Sequence, residues 1–216
     1  MPATGVKLLF AVFLAVVLNT EAAQAQFSFD RIIKSAKQAI TGSAQPSEER
    51  IAAGLKEALT VGAENAVGLV SVLDGYYGNP EIKIPLPEPV KKVETLLRAV
   101  GFGGKVDEFE RSMNRAAEAA APAARDLFVN AVKDMTFSDA DRILRGRDNE
   151  ATLYLEEKTR GRLHEIFEPI VSGSMSSVGT TRNFQEMNAK TRTLPFADSF
   201  SFDLNRYVTD GALDGL

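Results

Sequence analysis

Apolar residues recur at helical spacing along most of this 216-residue chain, and that period places them on one face of successive amphipathic helices. Phe29, Ile32, Ile33, Ala36 and Ile40 predict a short first helix. After the polar turn TGSAQPS, Ser47 stands as the N-cap of a second helix. Glu48 and Glu49 fall in its first turn, where carboxylates meet the positive helix end. Its apolar stripe reads Ile51, Leu55, Leu59, Ala66, Leu69, Val70 and Leu73. Gly54, Gly62 and Gly68 each weaken it by up to ~1 kcal/mol against alanine and read as points of close packing, with a break near Gly62 as the alternative. Val90, Val93, Leu96, Leu97 and Val100 form a compact third helix that Gly101 closes as a left-handed cap.

The next pattern runs through Val106, Phe109, Met113, Ala117 and Ala120 and resumes at Leu127, Phe128, Ala131, Val132 and Met135. Between the halves, Pro122 removes a backbone donor and must kink or break the helix. Ser138 with Asp141 three residues on reads as an aspartate capping box, with Gly146 at the exit. A long pattern from Asn149 to about Val178 follows, clearest at Leu163, Ile166, Phe167, Ile170 and Met175, with Gly161 and Pro169 bending it. A last pair, near residues 182–190 and 202–216, is separated by the loop TRTLPFADSFS. The expectation is an all-α, multi-helix bundle of about eight helices without internal repeats.

One stretch breaks the period. In DGYYGNPEIKIPLPEP, residues 74–89, Asp74-Gly75 and Gly78-Asn79-Pro80 are turn formers, while Ile82, Ile84 and Leu86 alternate at period two. Prolines 85, 87 and 89 hold it extended and block its use as a sheet template. It reads as an extended proline-rich strap crossing the bundle, its isoleucines and leucine plugging the core. An exposed polyproline ligand is the rival, against which the regular apolar spacing counts. Tyr76 and Tyr77 each join an apolar ring to a hydroxyl able to face a ligand.

The amino terminus changes the compartment. Lys7, the eleven-residue apolar run at 8–18 and the small-x-small AQA ending at Ala25 have the form of a secretory signal. The run is shorter than the ~20 residues a membrane-spanning helix needs. Residues 1–25 are therefore read as removed, against the alternative of an uncleaved anchor, and Gln26 as the first mature residue. Removing 25 residues from 216 leaves 191, at 26–216, the size of a single helical domain in the periplasm. The chain has no cysteine, which excludes a lipid-anchored lipoprotein, disulfides and thiol chemistry. A net charge of −4 lacks the basic footprint of a nucleic-acid binder.

Candidate chemistry is sparse. His164 is the only histidine, and with Glu168 one turn on it could offer two metal ligands. A zinc-protease helix needs a second histidine and a third ligand, so His164 reads as a surface or half-buried helical residue, and neither metal nor cofactor is expected. No G-x-S-x-G elbow supports a serine triad, and the calcium loop pattern is absent. Carboxylate clusters at DADR, DNE and EE suit solvated helix faces. More informative is MNRAAEAAAPAAR, residues 113–125, where Asn114, Arg115 and Glu118 sit among alanines. Small side chains let a neighbour approach closely, so these polar groups risk burial and must find partners. They read either as a polar cross-link to the proline-rich stretch or as the floor of a ligand pocket.

The segments DGYYGNPEIKIPLP, MNRAAEAAAPAARDLF, AVKDMTFSDADRIL, ATLY and FEPIVSGSMSSVG together resemble a bacterial family, domain-of-unknown-function family number 4197, from about Phe27 onward. The resemblance implies an exported helical protein and no activity, cofactor or catalytic residue. Similar proteins continue past YVTDGALDGL with a further charged helix.

The favoured reading is a non-enzymatic binding or interaction module, with no catalytic residue assigned. Its candidate ligand-binding residues are Asp74, Tyr76, Tyr77, Asn79, Asn114, Arg115 and Glu118, and its partner would be a small molecule, a lipid or an envelope protein. One alternative is a hydrolase or lyase using Asp74 or Glu118 as acid or base, with Arg115 holding an anion. Another is a structural envelope protein that self-associates.

Overall fold

A computed structural model describes residues 47–193 and 202–216. The signal, the first predicted helix and most of the TRTLPFADSFS loop lie outside these residues. The described residues form an all-α, multi-helix bundle of eight α-helices: α1 (Glu48–Val70), α2 (Glu88–Leu97), α3 (Gly103–Ala120), α4 (Ala124–Lys133), α5 (Phe137–Arg145), α6 (Glu150–Ser177), α7 (Thr180–Thr191) and α8 (Leu204–Asp214).

Helices α3 and α6 are the centre. α3 packs on α2, α6, α7 and α8, whereas α6 also meets α4, α5, α7 and α8. Val106, Phe109 and Met113 on α3 are fully buried, as are Phe167, Val171 and Met175 on α6. Each large apolar side chain withdrawn from water in this way contributes ~2–3 kcal/mol. The alanines at 116, 117 and 120 are also fully buried, so small side chains let several neighbours close on the second half of α3. An aromatic chain joins three helices, with Phe184 of α7 stacked on Phe109 of α3 at 5.8 Å and edge-on to Phe202 at 5.2 Å, and Phe202 edge-on to Tyr207 of α8 at 6.1 Å.

Local signals were realised with corrections. Gly101 has φ 87°, the left-handed cap its sequence predicted, and after a kink at Val100–Gly101 the chain turns directly into α3. At Pro122 the α-helical ladder gives way to a short 3-10 turn, Ala121–Ala123, which separates α3 from α4. Ser47 occupies the N-cap position of α1, but its side chain makes no capping bond. The predicted box at Ser138 and Asp141 is shifted by two residues. Thr136 is the N-cap of α5 and Asp139 closes the box, because the helix begins at Phe137.

The α1 stripe also differs from its prediction. Ala52, Leu55, Leu59, Gly62, Ala63 and Val67 are the buried set, while Leu69 and Leu73 are 49% and 74% exposed. Gly62 is buried and α1 runs unbroken through it, whereas Gly54 and Gly68 face open space, not the close packing expected of them. Residues 72–87 leave the helical ladder, but Glu88 and Pro89, assigned to the extended stretch, form the first turn of α2. Ile84 is 2% and Leu86 6% exposed, and Ile82 is half-buried.

Candidate functional site

The burial of α3 explains what happens around Asn114, Arg115 and Glu118. Asn114 has no exposed surface, so its amide must find partners within the protein. It accepts from the Ile84 N–H at 2.8 Å and donates to the Ile84 carbonyl at 2.9 Å, with its remaining hydrogen on the Glu110 carbonyl. One turn further on, Glu118 Oε1 accepts from the backbone N–H groups of Tyr76 and Tyr77 at 3.2 and 3.3 Å. Its Oε2 accepts from Arg115 at 2.6 Å, and Arg115 reaches on to Asp74 at 2.7 Å. Burial opposes the charge on Arg115, yet its bonds to Glu118 and Asp74 raise its pKa overall.

The turn that presents these backbone donors is tight. Asp74 sits at φ 65°, in the left-handed region, where aspartate is one of the more tolerant residues. A Cβ at Gly75 would lie 2.6 Å from the Val70 carbonyl oxygen, so only glycine fits there. Tyr76 follows with no exposed surface, and its hydroxyl donates to the Ala212 carbonyl at 2.6 Å. Burial, and next the charge of Glu118, push its phenol well above the ordinary tyrosine range. Gly215 leaves space for the ring, since a Cβ there would stand 2.7 Å from Tyr76 Cε1. At the far end of the segment the Tyr207 hydroxyl donates to the Pro85 carbonyl at 3.1 Å.

Tyr77 is half-buried with cations around its ring: Lys83 Nζ at 4.4 Å from the centroid, and the guanidiniums of Arg111 and Arg115 at 5.6 and 6.0 Å. Lys83 also pairs with Glu110 at 2.8 Å. The seven residues singled out from the sequence therefore divide. Arg115 and Glu118 on α3 meet Asp74, Tyr76 and Tyr77, and Asn114 meets the Ile84 backbone further along the same stretch, which together make the polar cross-link between the two segments. Asn79 takes no part in that network and accepts from the Glu81 N–H at 3.1 Å.

Chemically, this network is closed. Both Glu118 oxygens are engaged and its side chain is 6% exposed, whereas a general base must reach the proton it removes. Asp74, 52% exposed, is the carboxylate of the pair that solvent reaches. His164 lies 3.5 Å from Asp210 on the surface, and among the described residues no group of three or more histidine, aspartate or glutamate side chains is placed to hold a metal ion.

On one side of the turn lies an open groove of about 860 Å³. Its floor includes Ala63, Ala66, Phe128, Leu155 and Leu163, and Asp74 and Asn79 stand on its lining. Leu69, Val72 and Leu73, 49%, 56% and 74% exposed, are part of its wall. Glu81, Glu156 and Asp214 add carboxylates, with Arg160 bonded to Glu156 at 3.1 Å and to Asp214 at 2.6 Å. Sequence reasoning missed this groove. Its signal was an apolar stripe on α1 that ran past the end of the helix, to Leu73, where no core remained to receive it.

The chain belongs to the family described as protein of unknown function (DUF4197), which it matches over residues 45–216. No curated protein and no solved structure matches it. Among the described residues, no helix is long and apolar enough to cross a membrane.

Proposed function

We propose that this is an exported, periplasmic, non-enzymatic binding module whose working surface is the groove beside residues 72–82. In this reading the mature chain, 26–216, is one helical domain. Residues 74–87 act as a strap across the bundle, tied down by Asn114 and Glu118 and shaping one wall of the groove. Asp74 and Asn79 touch the ligand, while Asn114, Arg115, Glu118 and Tyr76 hold the strap in position and Tyr77 lies on its outer side.

The observation that carries the reading is a contrast between neighbours. The polar network is closed on itself, whereas the adjoining groove exposes Leu69, Val72 and Leu73 together around an apolar floor. Exposed apolar residues scattered singly need no explanation, but a contiguous patch rimmed by charge marks an interaction site. The carboxylates on the lining disfavour anionic headgroups and select a segment with basic flanks. The ligand class is thus an amphipathic, basic segment of an envelope protein, laid apolar face down in the groove.

A labelled synthetic peptide with a leucine stripe flanked by lysines tests this by fluorescence anisotropy. Leu73→Lys should weaken binding at least tenfold without lowering the melting temperature, and added salt should weaken binding to the unaltered protein. Equal affinity for the two proteins removes the groove from the reading. Periplasmic fractionation with amino-terminal sequencing tests export, the expected first residue being Gln26.

A further inference from the structure

The groove asks for an apolar, basic segment, and the chain carries one in residues 27–40, FSFDRIIKSAKQAI, outside the described residues. Phe29, Ile32, Ile33, Ala36 and Ile40 share one face at helical spacing. Arg31, Lys34 and Lys37 against Asp30 give this stretch a net charge of +2. The groove lining has the opposite sign, since Asp74, Glu81, Glu156 and Asp214 against Arg160 sum to −3. We propose that residues 27–40 of the same chain occupy the groove as its resident, displaceable ligand, so that the protein is self-masked until a competing segment takes its place. This rests on the groove being a binding surface.

Chain length permits it. Leu69 lies 22 residues beyond Ser47 along α1, which is ~33 Å at the rise of an α-helix. Residues 41–46 cover up to ~20 Å when extended, and a helix over 27–40 adds another ~20 Å. A helix over 27–40 running back along α1 would bring its apolar face level with Ala63, Ala66 and Leu69, the α1 residues that line the groove. A second copy is the poorer occupant, because two acidic linings would face each other across the contact. Tethering further favours the chain's own segment, since a short flexible linker holds it at an effective concentration of roughly millimolar.

The chain has no cysteine, so introduced pairs report proximity without background. In the mature chain, the pair Ile33→Cys with Leu69→Cys should cross-link at the mass of one chain, at least tenfold faster than Ile33→Cys with the remote, exposed Arg182→Cys. Ile33→Asp in the otherwise unaltered chain should raise affinity for the lysine-flanked peptide at least tenfold, and adding Leu73→Lys should cancel the gain. Equal cross-linking rates for the two pairs, or products only at the mass of two chains, overturn self-masking. If Ile33→Asp leaves peptide affinity unchanged while Leu73→Lys lowers it, the groove stands and its resident ligand does not. If neither substitution alters affinity, both fall.

Discussion

Asn114 forms with Ile84 both of the backbone hydrogen bonds that a neighbouring strand would supply, taking its N–H at 2.8 Å and giving to its carbonyl at 2.9 Å. A helix side chain thereby completes the bonding of a non-helical segment that, among the described residues, has no sheet to join. Both groups are buried, and each would cost ~1–3 kcal/mol if left unpaired. Asn114→Leu, branched in the same way but without polar atoms, should lower stability by about 2–4 kcal/mol. Urea denaturation checks this, and a loss below ~0.5 kcal/mol would show that water replaces the amide.

Glu118 and Asp74 flank the same arginine but differ in surroundings. Glu118 holds two backbone donors as well as Arg115, with its side chain 6% exposed, whereas the Asp74 side chain is 52% exposed. Removing one partner of a buried pair costs ~3–5 kcal/mol, and an exposed pair contributes ~0–1 kcal/mol. Glu118→Ala should therefore destabilise by about 3 kcal/mol and Asp74→Asn, which keeps a residue tolerant of the left-handed backbone, by less than ~1 kcal/mol. Thermal and urea melts of the two variants should rank in that order; the reverse would move the cross-link to the exposed end.

Ile84 is 2% exposed, and its side-chain atoms lie 3.1–3.3 Å from where a Cβ on Gly211 would stand. The contact with α8 is tight, and the Ile84 side chain is almost fully withdrawn from water in it. Ile84→Asp should cost more than ~4 kcal/mol, since it strands a carboxylate in an apolar site. A melting curve unchanged from that of the parent would place the segment loosely on the surface.

The cap of α5 sets a pH dependence. Thr136 donates from its hydroxyl and its N–H to Asp139 Oδ2 at 2.7 and 3.0 Å, and these two bonds, the hydroxyl's first, hold the Asp139 carboxyl below its ordinary 3.8. A depressed folded-state value means that the cap's contribution is present above pH 3.8 and is lost as pH falls through the folded value. Asp139→Asn should cost about 1 kcal/mol at neutral pH. The difference from the parent should shrink below pH 3.8 in urea melts. A constant difference across that range would assign the loss to something other than the carboxylate.

The helices and the polar anchors were legible in the sequence for a common reason: each depends on neighbours within a few positions. Met113, Ala117 and Ala120 marked the inward face of α3, and Asn114 and Glu118 among the alanines marked polar groups that burial would force into partnership. The same local reasoning failed at Leu69 and Leu73. They continue the spacing of Leu55 and Leu59, but whether a stripe is covered depends on what arrives opposite it.

What the chain determined by itself was therefore its helical class, its breaks at Gly101 and Pro122, and the need to satisfy Asn114 and Glu118, because periodicity, backbone restriction and desolvation act locally. The tertiary structure alone decided that Glu118 would hold the backbone of Tyr76 and Tyr77, 42 and 41 residues away. It also decided that the end of α1 would line a groove with α6 and the residues following α8. Contacts between distant elements follow from how the helices stack around α3, and the spacing along any one helix carries no record of which neighbour will meet it.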